Sequence, residues 1–200
     1  YKRYFERLAY HFDFPTMFAG RNEARLCFVE GASVRFDAFP DYLSHEVIPV
    51  IWDCWPRDFE AMRKWFKRHK VQTAIFTSSQ TAQKMQECNP QMNVLTITEG
   101  IETELYFGGL SLEKREYDFI EFGRCCKTID SNKFNDKIKV LSSRRHWKGN
   151  LQTREQLIKS QESSRITIAL TRQDTQPQIA EGIDTLTQRY WGSMFSRIVL

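Results

Sequence analysis

The 200-residue sequence contains no low-complexity tract, and no uninterrupted apolar run approaches the roughly 20 residues of a membrane-spanning helix. It also lacks a Gly-x-Ser-x-Gly elbow, a P-loop and a Gly-x-Gly-x-x-Gly stretch, which argues against the commonest serine-hydrolase, phosphate-loop and dinucleotide-binding sites. Cysteines number five, an odd count, and Cys125 and Cys126 are adjacent, a poor geometry for an intrachain bridge. There is no pair of CxxC spacings for zinc, and His11, His45, His69 and His146 stand far from one another. No metal site and no cofactor are therefore expected, and the thiols read as reduced in a cytoplasmic protein. The opening Tyr1-Lys-Arg-Tyr-Phe-Glu-Arg7 has no initiator Met and no signal-peptide core, so the sequence is expected to begin inside a longer chain.

What is present suffices for a real core: 41% of residues are hydrophobic and 15 are Phe. That length suits one large domain or two modest ones. The net charge of +4 is mild, but basic residues gather in Arg63-Lys-Trp-Phe-Lys-Arg-His-Lys70 and Arg144-Arg-His-Trp-Lys148. Basic clusters interleaved with aromatics suit nucleic acid or an anionic membrane surface, and equally the solvated face of a helix.

Residues to about 25 have helical spacing in Tyr4, Leu8 and Phe12. Leu26–Val29 reads as a strand, as does Val47–Trp52, where Pro49 argues for a bulge or an edge position. Pro56 and Asp58 open a helix to about His69, with Phe59, Met62, Trp65 and Phe66 on its apolar stripe. Thr73–Thr77 is a strand, Ser78 or Ser79 caps a helix to about Glu87, and Val94–Thr98 is a strand. Strand–helix alternation of this kind makes a parallel sheet, with ligands beyond the C-terminal strand ends. Residues 101–116 carry Gly108-Gly109 and no period, and read as a linker between units 1–100 and 117–200. In the second unit, Tyr117–Phe122, Lys137–Leu141 and Arg165–Leu170 read as strands, with a short helix or loop to about Asp136 after the first and a helix at 152–160. Arg197–Leu200 begins one more strand, so this unit looks truncated at its C-terminus.

The segment from Glu181 to Phe195 reads as a glycine-preceded helix with Asp184 in its first turn. At about 100° per residue, Leu186, Tyr190, Trp191, Met194 and Phe195 share one arc; Asp184, Gln188 and Gly192 share another. This is either an amphipathic core helix capped by Asp184 or a helix that presents its start to a ligand.

Val47-Ile-Pro-Val-Ile-Trp-Asp-Cys-Trp-Pro56, Thr77-Ser-Ser-Gln80, Glu99-Gly-Ile101, Glu121-Phe-Gly-Arg124 and Gly182-Ile-Asp-Thr-Leu-Thr-Gln-Arg-Tyr-Trp191 occur in that order. Over roughly residues 30–200 they resemble the landmarks of bacterial GT-B glycosyltransferases related to families 1 and 4. The resemblance implies an α/β fold of two Rossmann-like parallel-sheet units. It also implies transfer of a sugar from a nucleotide-sugar to a glycan or lipid-linked acceptor, with retention and without a metal. On this basis Gly123 and Arg124 match the turn whose guanidinium neutralises the leaving diphosphate, with Lys127 and Arg172 as nearby cations. Gly182, Ile183, Asp184, Thr185 and Gln188 fall to the donor, Asp184 and Arg124 being catalytic. Asp53, Trp55, Ser78, Ser79 and Glu99 fall to the acceptor side. The stripe 63–70 would face an anionic membrane surface at the inner face of the membrane, and no nucleic acid is expected.

One departure stands out. The family carries two glutamates separated by seven residues on the donor helix; here Asp184 and Gly192 occupy those places. The shorter Asp184 shifts its carboxylate, and Gly192 removes the ribose contact, which Gln188 would partly replace. A catalytically weakened relative that binds without turnover is the alternative, and a basic nucleic-acid-binding α/β protein a more distant one.

Overall fold

A computed structural model describes Tyr4 and residues 23–123, 137–142 and 153–200. The expected helix around Leu8 and Phe12, the residues Arg124, Lys127, Cys125 and Cys126, and the basic cluster 144–148 lie outside the described residues. The chain is α/β with two parallel sheets and divides into two compact units. The first comprises residues to Thr98 together with Ile179–Ile183; the second comprises Glu99–Gln178 and Asp184–Leu200. Residues 101–116 thus fall within the second unit, where they form two short 3-10 turns, Thr103–Leu105 and Leu112–Lys114.

The first unit opens with β1 (Ala24–Glu30), a short helix α1 (Val34–Asp37) and β2 (Glu46–Trp52). Then come α2 (Pro56–Arg68), β3 (Thr73–Phe76), α3 (Ser79–Cys88) and β4 (Asn93–Thr96). The sheet order is β1-β2-β3-β4, all parallel. Because every crossover steps the same way and such connections are right-handed, α2 and α3 cover one face. The strands alternate accordingly: Cys27, Val29, Val47, Ile51, Ala74 and Phe76 are buried with Met62, Trp65, Phe66, Ala82 and Met85. Leu26, Phe28 and Leu95, on the other parity, are exposed. Pro49 causes no bulge. It stays in register with Cys27, while pairing with β3 begins only at Val50, so no ladder bond on that side calls for the N–H that proline lacks.

Local chemistry explains the helix ends. Pro56 takes the first position of α2 with its preset φ, and the Asp58 carboxylate accepts from the Trp55 N–H at 3.4 Å. Ser78 caps α3, its hydroxyl accepting from the Thr81 N–H at 3.3 Å. On the solvent side of α2, Glu60 pairs with Arg63 at 2.9 Å and with Lys64 at 3.4 Å, neutralising part of the basic stripe. The hydrogen bond from Arg63 is the main reason the Glu60 carboxyl falls to about 2.

The second unit contains β5 (Tyr117–Glu121), β6 (Val140–Ser142), α4 (Arg154–Glu162), β7 (Ser164–Thr167), α5 (Arg172–Thr175), α6 (Pro177–Ala180) and α7 (Gln188–Phe195). Of these, all but part of α6 belong to the unit's own compact body. Its sheet order is β6-β5-β7, and Val199 adds a parallel bridge to Ile166 beyond β7. β7 ends at Thr167, three residues short of the expected Leu170, and the expected terminal strand is a single bridge. Ile120, Phe122, Leu141 and Ile198 form the core. The buried Arg115 guanidinium donates to the carbonyls of Leu110 (2.9 Å), Ser164 (2.6 Å) and Ser196 (2.9 Å), joining three separated stretches of chain. Among the described residues no helix is long and apolar enough to cross a membrane.

Candidate functional site

In the order β6-β5-β7 the chain leaves β5 to one side and returns to its other side, so the switch point lies between β5 and β7. Ligands of open parallel sheets settle beyond the C-terminal strand ends at such a point. A cavity of ≈ 360 Å³ opens there. Phe122 and Gly123 contribute the end of β5, Arg154, Leu157, Ile158 and Gln161 one side of α4, and Gln188, Arg189 and Gly192 the start of α7. Ile101 and Tyr106, from the segment read as a linker, complete the wall.

Gly123 adopts φ +72°, a left-handed conformation costly for other residues. A Cβ here would lie 2.8 Å from an Arg189 guanidinium nitrogen and 2.9 Å from its Cδ. The missing side chain thus lets Arg189 lie against the turn, and its Nη2 donates to the Leu170 carbonyl at 2.9 Å. Arg189 therefore spans the switch point from the β5 turn to the stretch after β7. The other lining cation, Arg154, pairs with Glu102 at 3.6 Å. Among the described residues no Asp, Glu, His or Cys lines this cavity, and its two charged lining groups are guanidinium groups suited to phosphate.

Gly192 is buried in the cavity wall, where a Cβ would come within 3.0 Å of the Tyr106 hydroxyl and 3.5 Å of both amide atoms of Gln161. The helix backbone is thereby open to two polar side chains from other elements. Burial raises the Tyr106 phenol above its ordinary value, against the pull of the Arg154 guanidinium. Gln161 is 2% exposed and lines the cavity beside Gly192.

The expected donor residues separate. Gly123 and Gln188 line the cavity together. Asp184 is not on the helix: α7 starts at Gln188 with Thr187 as its extended N-cap, leaving Asp184 exposed and outside any helix or strand. The shared arc of Asp184, Gln188 and Gly192 is therefore corrected. The physical reason is that Thr187, a β-branched residue, holds an extended φ −92°, ψ 159° at the cap, so the helix begins only at Gln188. Asp184 still lies near enough to Tyr190 to add, after burial and Asp174, to the rise of that phenol. Gly182 and Ile183 belong to the first unit, where Ile183 is buried against Trp55 and Ala180. Thr185 is half-buried between Asp184 and α7. Arg172 begins α5, whose N-cap Thr171 donates its N–H to Asp174 at 2.8 Å; it does not line the cavity.

Of the residues expected to serve an acceptor, Asp53, Trp55, Ser78 and Ser79 collect at the C-terminal ends of β2 and β3. Thr81 Oγ1 donates to the Cys54 carbonyl at 3.4 Å, tying the start of α3 to the end of β2. Trp55 is an interior residue, 5% exposed, whereas Asp53 adopts φ 52° at the strand exit. Glu99 falls in the second unit.

Arg189, Arg154, Gln161 and Tyr106 went unremarked in the sequence. For Arg189 a signal existed: a cation in the first turn of a helix that follows a glycine-marked segment. No group of three or more His, Cys, Asp or Glu side chains among the described residues could hold a metal ion. Comparison with protein-family models, curated proteins and solved structures finds no match.

Proposed function

We propose that this chain is a GT-B glycosyltransferase that moves a sugar from a nucleotide-sugar donor to a glycan or lipid-linked acceptor, with retention and without a metal. The observation that carries the reading is the cavity at the β5–β7 switch point, with Arg189 laid against Gly123. A diphosphate at that turn would meet the Arg189 guanidinium, with Arg154 as a second cation, and the charge developing on the leaving group would be neutralised there. Arg189 thus takes a role the resemblance assigns to Arg124. The end of the first unit's sheet, with Asp53 and Ser79, would serve the acceptor. The exposed Lys64, Lys67 and Arg68 on α2 would face anionic lipid at the inner face of the membrane.

Calorimetric titration with a panel of nucleotide-sugars tests the reading. Binding is expected, with Arg189→Ala weakening it about tenfold or more while the melting profile persists. No affinity across the panel, or affinity indifferent to the substitution, overturns it. One observation favours a second reading, a binding relative without turnover: among the described residues no carboxylate lines the cavity. Donor hydrolysis separates the two, since the second reading requires binding with none.

A further inference from the structure

Beyond Tyr106 the 101–116 segment leaves the cavity wall and builds a second hollow. Phe107, Gly109 and Leu110 meet Lys159, Glu162 and Ser163 around an open cavity of ≈ 390 Å³. On α4, Arg154, Leu157, Ile158 and Gln161 share the arc that faces the first cavity, whereas Lys159 and Glu162 lie on another. Because α4 runs down to the start of β7, this hollow sits at the strand entries, away from the switch point. The loop that forms it is fixed at both ends. The Phe107 N–H donates to Glu162 Oε1 at 2.7 Å, and the Leu110 carbonyl accepts from the buried Arg115 guanidinium at 2.9 Å. Between them Gly109, at φ +68°, lies so close to α4 that a Cβ would come within 2.8 Å of the Glu162 carbonyl oxygen. Any side chain there would push the loop off the helix. Phe107 so anchored is 86% exposed, and Leu110 beside it 54%. An aromatic ring held open by a fixed loop loses little further freedom when a ligand covers it.

We propose that this hollow binds an uncharged pyranose unit of a glycan chain, apart from the switch-point cavity and whatever that cavity holds. The lining decides the class. A pyranose has a face of C–H groups, which packs on an aromatic ring through dispersion and burial of apolar surface, and a rim of hydroxyls that donate and accept. Phe107 and Leu110 supply the apolar platform. Around it Lys159 carries a donor-only ammonium, and Glu162 an acceptor-only carboxylate that gives one oxygen to the Phe107 N–H. The Ser163 hydroxyl donates to the Lys159 carbonyl at 2.8 Å and can still accept. Among the described lining residues one cation and one carboxylate balance, which favours an uncharged ligand over a phosphate or a polyanion. A purely apolar partner would strip water from both charges and return no hydrogen bond. Sugar hydroxyls answer both.

The test titrates the full chain with maltotriose, cellotriose, xylotriose and triacetylchitotriose, and with inorganic pyrophosphate as an anionic control. At least one trisaccharide is expected to bind. Phe107→Ala should weaken it about tenfold or more by removing the platform. Glu162→Gln, which can still accept from the Phe107 N–H, should weaken it several-fold. Circular dichroism melts show whether each variant is folded, and Lys159→Met, at an exposed position, serves if either is not. No heat from any of the four sugars up to about 10 mM overturns the inference. So does a sugar affinity indifferent to Phe107→Ala, which places the sugar elsewhere. If pyrophosphate binds and Phe107→Ala or Lys159→Met is what removes it, the hollow takes anions and the inference fails. Sedimentation of the same proteins covers the remaining occupant: if the chain pairs with itself and Phe107→Ala alone separates the copies, the face is a self-contact and the inference fails.

Discussion

Replacing Arg115 by Met should damage the second unit more than any other single surface-sparing change. The side chain is 3% exposed and gives three hydrogen bonds, to Leu110, Ser164 and Ser196. Burial pulls its pKa below the ordinary value, with the carboxylate of Glu162 acting in the opposite sense. Hydrogen bonds from a charged donor are each worth about 1.5–3 kcal/mol, but the burial cost of the guanidinium offsets much of that sum. What remains after Arg115→Met is three carbonyls robbed of their partner, at about 1–3 kcal/mol for each that water cannot reach. We therefore expect a loss of about 3–5 kcal/mol, a large share of the 5–15 kcal/mol that holds a typical domain. Urea unfolding followed by circular dichroism measures it, and Arg115→Lys serves as the control. Lysine keeps the charge but lacks the planar fork, so it should recover less than half of the loss. A loss below about 1 kcal/mol in Arg115→Met, or full recovery by lysine, would refute the claim that the fork geometry joins the three strands of chain.

Three other outcomes follow from the site and the cores. Gly123→Ala places a Cβ 2.8 Å from Arg189 at φ +72°, so it should cost about 1–2 kcal/mol in thermal melts and abolish detectable nucleotide-sugar binding. Gly192→Ala should lower nucleoside diphosphate affinity several-fold in calorimetry with little change in melting temperature, because the Tyr106 hydroxyl must retreat by a few tenths of an ångström. Among Cys27, Cys54 and Cys88, only the exposed Cys88 should be alkylated by iodoacetamide at pH 8 within minutes, as read by mass spectrometry. Burial pushes the Cys27 thiol up from 9.0 to about 11 and the Cys54 thiol higher still, so both stay protonated. The folded state is the one that holds the proton, hence the stability these thiols add is complete below pH 9 and declines as pH rises toward 11.

The parallel strands were legible because Val47–Trp52 and Thr73–Thr77 are apolar runs bounded by turn and cap residues, and a strand buried on one face needs little else to be seen. Pro56, Ser78 and Asp58 marked helix starts through local chemistry that acts within four residues. Asp184 was misplaced because a helical wheel extends backward as readily as forward, and only the tertiary fold shows that Thr187, not Asp184, caps the helix. Gln161 looks like one more polar residue in Gln156-Leu-Ile-Lys-Ser-Gln161; in the fold it is buried beside Gly192, thirty-one positions later. Tyr106 sits in a segment without period, so no pattern pointed to it. For Arg189 the local sequence offers only its place in the first turn of a helix after a glycine-marked segment. What singles it out is a contact with Gly123, and contacts between distant positions are not written in local spacing.

The membership of Ile179–Ile183 in the first unit bears on how such a chain can be inherited or cut. Ile183 and Ala180 close over Trp55, so a product ending at Thr98 would present that indole to water. A second product beginning at Glu99 would carry five residues whose apolar partners were left behind. Neither unit is a cassette that one crossover in a gene could transplant, and a graft would need the 179–183 stretch to travel with the first ninety-eight residues. Shuffling within this architecture is therefore constrained by a five-residue clasp rather than by either sheet.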